Sequence, residues 1–114
     1  MTAVTLPREV TKWVGQCIPI RARLLIDSLA QIPTAAEFTA RIKGGGLYTL
    51  TSPSGLTIDI VDGWVTGEVP SAITAEWAAG KLVRFHLSAM YGGACPETLD
   101  AGTFVMLYNP KFGD

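Results

Sequence analysis

Apolar and polar residues alternate through much of this chain, and that period is typical of β-strands that bury one face. Residues 16–26 (QCIPIRARLLI) carry isoleucine, alanine and leucine at every second position, with Arg21 and Arg23 on the opposite face. After a turn-rich link, residues 37–43 (EFTARIK) repeat the pattern. Both segments are predicted to be half-buried strands.

Turn residues divide the middle of the chain into hairpins. The sequence SPSG at 52–55 separates one predicted strand, residues 47–51, from the next, residues 56–60, whose leucine and isoleucine residues share one face. Asp62 and Gly63 then turn the chain into a further strand. We therefore predict consecutive hairpins in this part of the chain.

The period changes in residues 70–80 (PSAITAEWAAG). Ile73 and Trp77 are four residues apart, Ser71 is of a type that caps helices, and Gly80 is of a type that ends them. One short helical crossing between sheets is predicted here, before strand alternation returns in the sequence KLVRFHLSAMY.

The pattern amounts to about seven short strands and one helical crossing, which is typical of an all-β, immunoglobulin-like sandwich of two sheets. A chain of 114 residues is expected to form a single domain, residues 1–114, with a short N-terminal arm and C-terminal tail. The residues expected in its core are Ile18, Ile20, Phe38, Ile42, Ile58, Val83, Phe85 and Leu87.

The closing strand breaks the alternation, because residues 104–108 (FVMLY) are apolar on both faces. Either the fold covers this strand twice, or the strand lies at an edge and its outer face meets a partner. The arm and tail lack a pattern that would bury them in their own domain, and such segments often become ordered on a partner. The resulting interface candidates are Trp13, Phe104, Val105, Met106, Leu107, Tyr108 and Phe112.

The composition of the chain excludes some classes of partner and favours others. A formal net charge of -1 provides no basic field for phosphates, so nucleic acid is not an expected partner. The chain is 48% hydrophobic, which suggests that another chain covers some apolar surface. No segment approaches the roughly 18 apolar residues of a membrane helix, and the first residues lack a secretory signal, so we expect synthesis in the cytoplasm and no membrane partner.

Candidate chemistry is sparse. His86 is the only histidine, and no nucleophile motif accompanies it, so we expect an outward-facing strand residue without partners. Asp59 and Asp62 lack the further ligands of a calcium loop, and the glycines at 44–46 precede a strand rather than a phosphate-binding helix. We therefore predict no catalytic residues, no metal, no cofactor and no enzymatic activity.

The two cysteines, Cys17 and Cys95, have neither metal-binding nor disulfide spacing, and we expect both to be reduced and buried. The three tryptophans, Trp13, Trp64 and Trp77, have two interpretations. An exposed indole flanked by an acidic residue would favour sugar binding, whereas a buried one would favour packing or assembly.

The order of these motifs resembles the small immunoglobulin-like β-sandwich modules of tailed bacteriophages, such as the N-terminal domain of siphophage baseplate upper proteins. The resemblance covers most of the chain. The segments that carry it are a strand with the pattern F-T-A-x-I at 38–42, an I-x-I hairpin at 58–63, a proline-started crossing at 70–80, a long strand at 82–90 and a closing strand at 102–107.

This resemblance implies a non-enzymatic structural protein of a phage virion, in the tail, the tail tip or the fibre-attachment region. It would be made in the host cytoplasm and would assemble with other virion proteins and with further copies of itself. Three alternatives stay open: a carbohydrate-binding sandwich that recognises a cell-surface glycan through Trp64 or Trp77, a capsid decoration protein, and a small hydrolase in which His86 would have to act without visible helpers.

Overall fold

The computed structural model describes residues 8–42, 46–77, 82–93 and 95–107. This part of the chain contains ten strands and one short helix. In chain order they are β1 (Arg8–Trp13), β2 (Ile18–Ala22), β3 (Leu25–Ile26), β4 (Leu29–Ala30), β5 (Ala35–Ile42), β6 (Leu47–Thr51), β7 (Leu56–Ile58), β8 (Val65–Val69), α1 (Ser71–Thr74), β9 (Leu82–Met90) and β10 (Glu97–Leu107).

Eight of these strands form two sheets around a shared core. The five-stranded sheet has the order β1-β10-β9-β5-β6, and the three-stranded sheet has the order β2-β8-β7. In an immunoglobulin-like sandwich, strands B, E and D form one sheet and strands G, F and C the other. Here β2, β8 and β7 occupy the first set of places and β10, β9 and β5 the second, so the predicted all-β two-sheet sandwich is confirmed.

The core follows the alternation along the strands. Ile18, Ile20, Phe38, Val83, Phe85 and Leu87 are buried as predicted, whereas Ile42 and Ile58 are half-buried and pack against the buried cluster. Four aromatic rings cross this core as a stacked series: Phe38 and Phe85 have centroids 6.4 Å apart, Phe85 and Phe104 4.2 Å, and Phe104 and Trp77 6.2 Å. Three of these rings belong to the five-stranded sheet and the fourth to the segment after α1, so the series links that sheet to the helical crossing.

The N-terminal segment is corrected by the structure, because residues 8–13 are not an arm without a place in the domain. They form β1, which pairs in parallel with β10 from Arg8 beside Gly102 to Trp13 beside Leu107. The closing strand β10 lies between β1 and β9, so it is not an edge strand. Hydrogen bonding to β10 gives these N-terminal residues the partner that their own sequence did not indicate.

The strand predicted over residues 16–26 ends at Ala22. Leu25 and Ile26 instead form β3, which pairs with β4 in a small hairpin apart from both sheets. Asp27 and Ser28 close this hairpin with positive φ angles of 52° and 66°. A tight turn thus ends the strand that the alternation predicted. The alternation of apolar residues indicates which way side chains point, but it does not indicate where the chain reverses.

The helical crossing is confirmed, but it is short. α1 covers four residues, and its N-cap is Pro70 rather than Ser71. Thr74 is buried and its hydroxyl donates to the Gln16 carbonyl oxygen at 2.9 Å, while Trp77 is 2% exposed beyond the helix. These contacts anchor the crossing on the core, and Gly80, the predicted helix end, lies outside the described residues.

Three further expectations need correction. Cys17 and Cys95 are free, as expected, but both are exposed rather than buried. Ile60, placed by alternation on the inner face, is 79% exposed because β7 ends at Ile58 and the chain turns away from the core. The turn at 52–55 does not close a hairpin, because β6 before it belongs to the five-stranded sheet and β7 after it to the three-stranded sheet. Gly44 and Gly45 lie outside the described residues.

The turn of the β3–β4 hairpin allows a stabilising substitution. Because a residue with a Cβ costs about 1–2 kcal/mol in the left-handed region and glycine does not, Ser28→Gly should raise the free energy of unfolding by about 0.5 kcal/mol, after glycine's larger entropy loss on folding. Urea unfolding measures the change. The control Thr57→Gly, at an exposed position within β7, should lower stability instead. A loss of stability in Ser28→Gly would contradict the expected turn strain.

Candidate functional site

The two faces of the closing strand have different roles. Phe104 and Met106 point inward and are 4% and 1% exposed, and Phe104 stacks between Phe85 and Trp77. These two interface candidates are core residues of the monomer, so a partner cannot contact them while the domain is folded. Only the alternate residues of the strand, Val105 and Leu107, lie on its outer face.

An apolar patch lies on the outer face of the five-stranded sheet. The parallel register places Thr11 beside Val105 and Trp13 beside Leu107, and the antiparallel register places Leu82 of β9 beside Val105. Paired residues share a face of a sheet, so Trp13, Leu82, Val105 and Leu107 are neighbours. We call these four residues the outer patch.

The exposure of the outer patch suits protein contacts. Trp13 is 49% exposed and Leu82 is 43% exposed, while Val105 and Leu107 are half-buried. The half-buried pair sits on a central strand and so has a fixed backbone, which reduces the entropy lost when a partner binds. Tyr108 and Phe112, the remaining two interface candidates, lie outside the described residues.

Charged residues continue the same face beside the outer patch. Arg84 follows Leu82 at the next outward position of β9, and Arg41 of β5 is directly opposite Arg84. Like charges in opposed positions of a sheet destabilise it slightly. A partner carrying carboxylates would relieve this repulsion at the rim of the patch.

The two tryptophans considered for sugar binding are both covered by other side chains. Trp77 is 2% exposed within the core, which favours packing. Trp64 is half-buried on the outer side of the three-stranded sheet, where the guanidinium carbons of Arg21 and Arg23 lie 3.6 Å and 4.4 Å from its ring centroid. The indole face that a sugar would need is covered by cations. We call Arg21, Arg23 and Trp64 the arginine–tryptophan cluster.

The turn between β7 and β8 lies next to this cluster and is tightly hydrogen-bonded. One carboxylate oxygen of Asp59 accepts the N–H groups of Val61 and Asp62 at 2.8 Å and 3.2 Å. The Gly63 N–H donates to the Asp59 carbonyl oxygen at 2.9 Å. The two N–H groups hold the pKa of the Asp59 carboxyl below its ordinary value of 3.8, because they stabilise the ionised form.

His86 faces outward, as predicted, but it has a partner. Its Nε2 lies 2.9 Å from the Thr98 hydroxyl oxygen, which belongs to the neighbouring strand β10. Residues 8–42, 46–77, 82–93 and 95–107 contain no group of three or more His, Cys, Asp or Glu residues placed to hold a metal ion. The helix in this described part, four residues long, cannot reach across a membrane.

A surface cavity of about 360 Å³ opens where β5 meets β9 and the β6–β7 turn. Glu37 is the only titratable residue among those that line it, the rest being small or apolar residues such as Ala36, Ser88 and Met90. Hydroxyl groups of Ser52 and Ser88 also line it, but its described lining residues include no histidine, lysine or second carboxylate that would complete a catalytic set with them. The outer patch is therefore the stronger candidate for function.

Comparison with known proteins adds no family to this description: no protein-family model matches the chain, and no curated protein matches it significantly.

Sequence reasoning named three of the four residues of the outer patch and missed Leu82. It also missed the arginine–tryptophan cluster. The alternation of Arg21 and Arg23 was visible, but only the pairing of β2 with β8 brings them to Trp64. Only a prediction of how β2 pairs with β8 would have revealed this cluster from the sequence.

Proposed function

We propose that this protein is a non-enzymatic structural component of a bacteriophage virion, in the tail, the tail tip or the fibre-attachment region. It acts by binding other virion proteins and further copies of itself. The proposal is supported by the motif order of the sequence, which resembles phage immunoglobulin-like modules, and by the two-sheet sandwich. The observation that carries the assembly role is the outer patch.

The outer patch has the composition of an interface centre. It combines a partly exposed tryptophan with three aliphatic side chains, and tryptophan is enriched at the positions that contribute most to binding. The arginines at its rim add charges that orient a partner. β10 is paired on both sides and β1 is paired with β10, so strand pairing holds the backbone of the patch in place before a partner binds.

The location in the virion is tested directly. Mass spectrometry of purified particles should detect the protein in stoichiometric amounts, and genes for tail proteins should flank its gene. Detection in capsids without tails would favour the alternative of a capsid decoration protein. Absence from particles, combined with binding to host-cell glycans, would favour the carbohydrate-binding alternative and overturn the proposal.

The assembly surface gives a mutational prediction. Leu107→Asp should weaken association by about 2 kcal/mol or more, since a charge would be placed in the centre of an apolar contact. The monomer should stay folded, because the Leu107 side chain lies on the outer face. Analytical ultracentrifugation measures association, and thermal melting measures folding.

Two further variants complete that test. Trp13→Ser should weaken association in the same way, from the neighbouring strand. Thr57→Asp, an exposed position on the outer side of the other sheet, should leave association unchanged. If Leu107→Asp and Trp13→Ser both melt normally and both associate like the unmodified protein, the outer patch is not an interface.

A further inference from the structure

We infer that the arginine–tryptophan cluster and the adjoining β7–β8 turn form a second docking site, which binds a protein segment carrying a carboxylate next to an apolar side chain. The inference deepens the proposed function, on which it rests for the identity of the partner as a virion protein. The site is on the outer side of the three-stranded sheet, whereas the outer patch belongs to the other sheet.

Strand register creates the cationic part of this site. Ala22 of β2 pairs with Val65 of β8. Arg23 follows Ala22 and Trp64 precedes Val65, so these two neighbours come together on the opposite, outward face of the sheet. Arg21, two residues earlier, points the same way. Both guanidinium groups therefore reach one indole, at 3.6 Å and 4.4 Å from its centroid, which is within the range of cation–π attraction.

With two arginines on one indole ring, the cluster carries positive charge that an acidic partner would neutralise. Both guanidinium carbons lie within 4.4 Å of the same ring centroid, so the two groups repel each other, and the indole offsets only part of that repulsion. Among the described residues no carboxylate forms an ion pair with Arg21 or Arg23; Arg23 donates through Nη1 to the Asp62 carbonyl oxygen at 3.4 Å. A carboxylate is the planar anion that guanidinium groups bind through paired hydrogen bonds.

The β7–β8 turn supplies the apolar part. Ile60 and Val61 are 79% and 78% exposed, at consecutive positions of a turn that is only a few residues long. The turn is held by the two bonds to the Asp59 carboxylate and by the Asp59 N–H, which donates to the Trp64 carbonyl oxygen at 2.8 Å. The two side chains are thus presented to solvent in a preorganised conformation, which lowers the entropy cost of binding.

The cationic and apolar parts form one surface. The bond from Arg23 to the Asp62 backbone joins the cluster to the turn, and Trp64 directly follows Gly63 in the chain. A segment with neighbouring acidic and apolar side chains matches both parts. An acidic sugar would match only the charge, because it offers no aliphatic side chain to Ile60 and Val61.

The test uses two capped hexapeptide probes, one of alternating glutamate and leucine and one of alternating glutamine and leucine, with tryptophan fluorescence as the readout. The glutamate probe should bind at least ten-fold tighter than the glutamine probe. The fluorescence change should be absent in Trp64→Phe. Equal affinity for the two probes would overturn the inference.

Substitutions in the cluster and the turn show where the glutamate probe binds. The double substitution Arg21→Gln and Arg23→Gln should weaken binding of the glutamate probe at least ten-fold, and Val61→Ser should weaken it several-fold. Lys43→Gln, which removes a positive charge outside the cluster and the turn, should leave it unchanged. The substituted residues of the cluster and the turn are exposed or half-buried, so thermal melting should confirm that each variant folds. A Lys43→Gln effect as large as that of the double variant would mean unspecific charge attraction and would overturn the site.

Two competing occupants are distinguished in the same way. If a glucuronate oligosaccharide binds tighter than the glutamate probe, the site recognises a glycan and the inference is wrong. If the protein self-associates and the double arginine variant abolishes this, a second copy is the occupant and the assignment to a different protein is overturned. Peptide binding is measured on the purified protein. A negative result would therefore contradict the docking site without bearing on whether the protein is part of the virion.

Discussion

Phe85→Ala is expected to lower the free energy of unfolding by about 3–5 kcal/mol. Phe85 is 5% exposed and lies on β9, which is bonded on both sides within the five-stranded sheet. Its ring is the link in the aromatic series, 4.2 Å from Phe104 and 6.4 Å from Phe38. Truncation removes buried apolar surface and leaves a cavity between rings that the paired strands cannot close.

Chemical unfolding by guanidinium chloride measures this loss. Leu82→Ala is the control on the same strand: because Leu82 is 43% exposed, its truncation should cost less than about 1 kcal/mol. Phe85→Leu keeps much of the volume and should fall between the two. A loss below 1 kcal/mol for Phe85→Ala would show that the aromatic series contributes little to the stability of the core.

Gly63→Ala is expected to destabilise the protein by about 2–4 kcal/mol, from a left-handed backbone and a steric collision together. Gly63 has a φ of 78°, which disfavours any residue with a Cβ. A Cβ at this position would also collide with the carbonyl oxygen of Gln31, in the loop that follows β4. Backbone atoms cannot yield as a flexible side chain can, so the turn and the loop would have to separate.

Gly92→Ala isolates the first cause, the left-handed backbone. Gly92 has a similar φ of 83°, but among the described residues no atom lies within 4 Å of the position of a Cβ. Its substitution should cost only the conformational part, about 1–2 kcal/mol. Thermal melting of both variants measures the difference, and equal losses would mean that the contact between Gly63 and Gln31 contributes nothing to stability.

Much of the architecture was predictable because side-chain direction along a strand is a local property. Alternation alone placed Phe38, Phe85 and Leu87 in the core, and the turn residues Asp62 and Gly63 located the hairpin between β7 and β8. Each of these conclusions depends on residues a few positions apart. The fold class followed from the number and spacing of such segments.

The candidate sites were less predictable because they depend on which strands become neighbours. The apolar run at 104–108 indicated that β10 is special, but it did not show which of its faces is core. The decision comes from Trp77 and Phe85, which pack on Phe104 from distant parts of the chain. Trp13 belongs to the outer patch only because β1 pairs with β10.

The sequence by itself thus determined most strand segments, the β7–β8 hairpin and most of the core, since steric alternation and turn chemistry act over short distances. Only the tertiary structure decided that β1 joins the five-stranded sheet, that Ile60 leaves the core and that Arg21 and Arg23 meet Trp64. These features arise from pairings between remote segments. Such pairings are selected by the packing of the whole core against the entropy of closing long loops, and no local pattern records that balance.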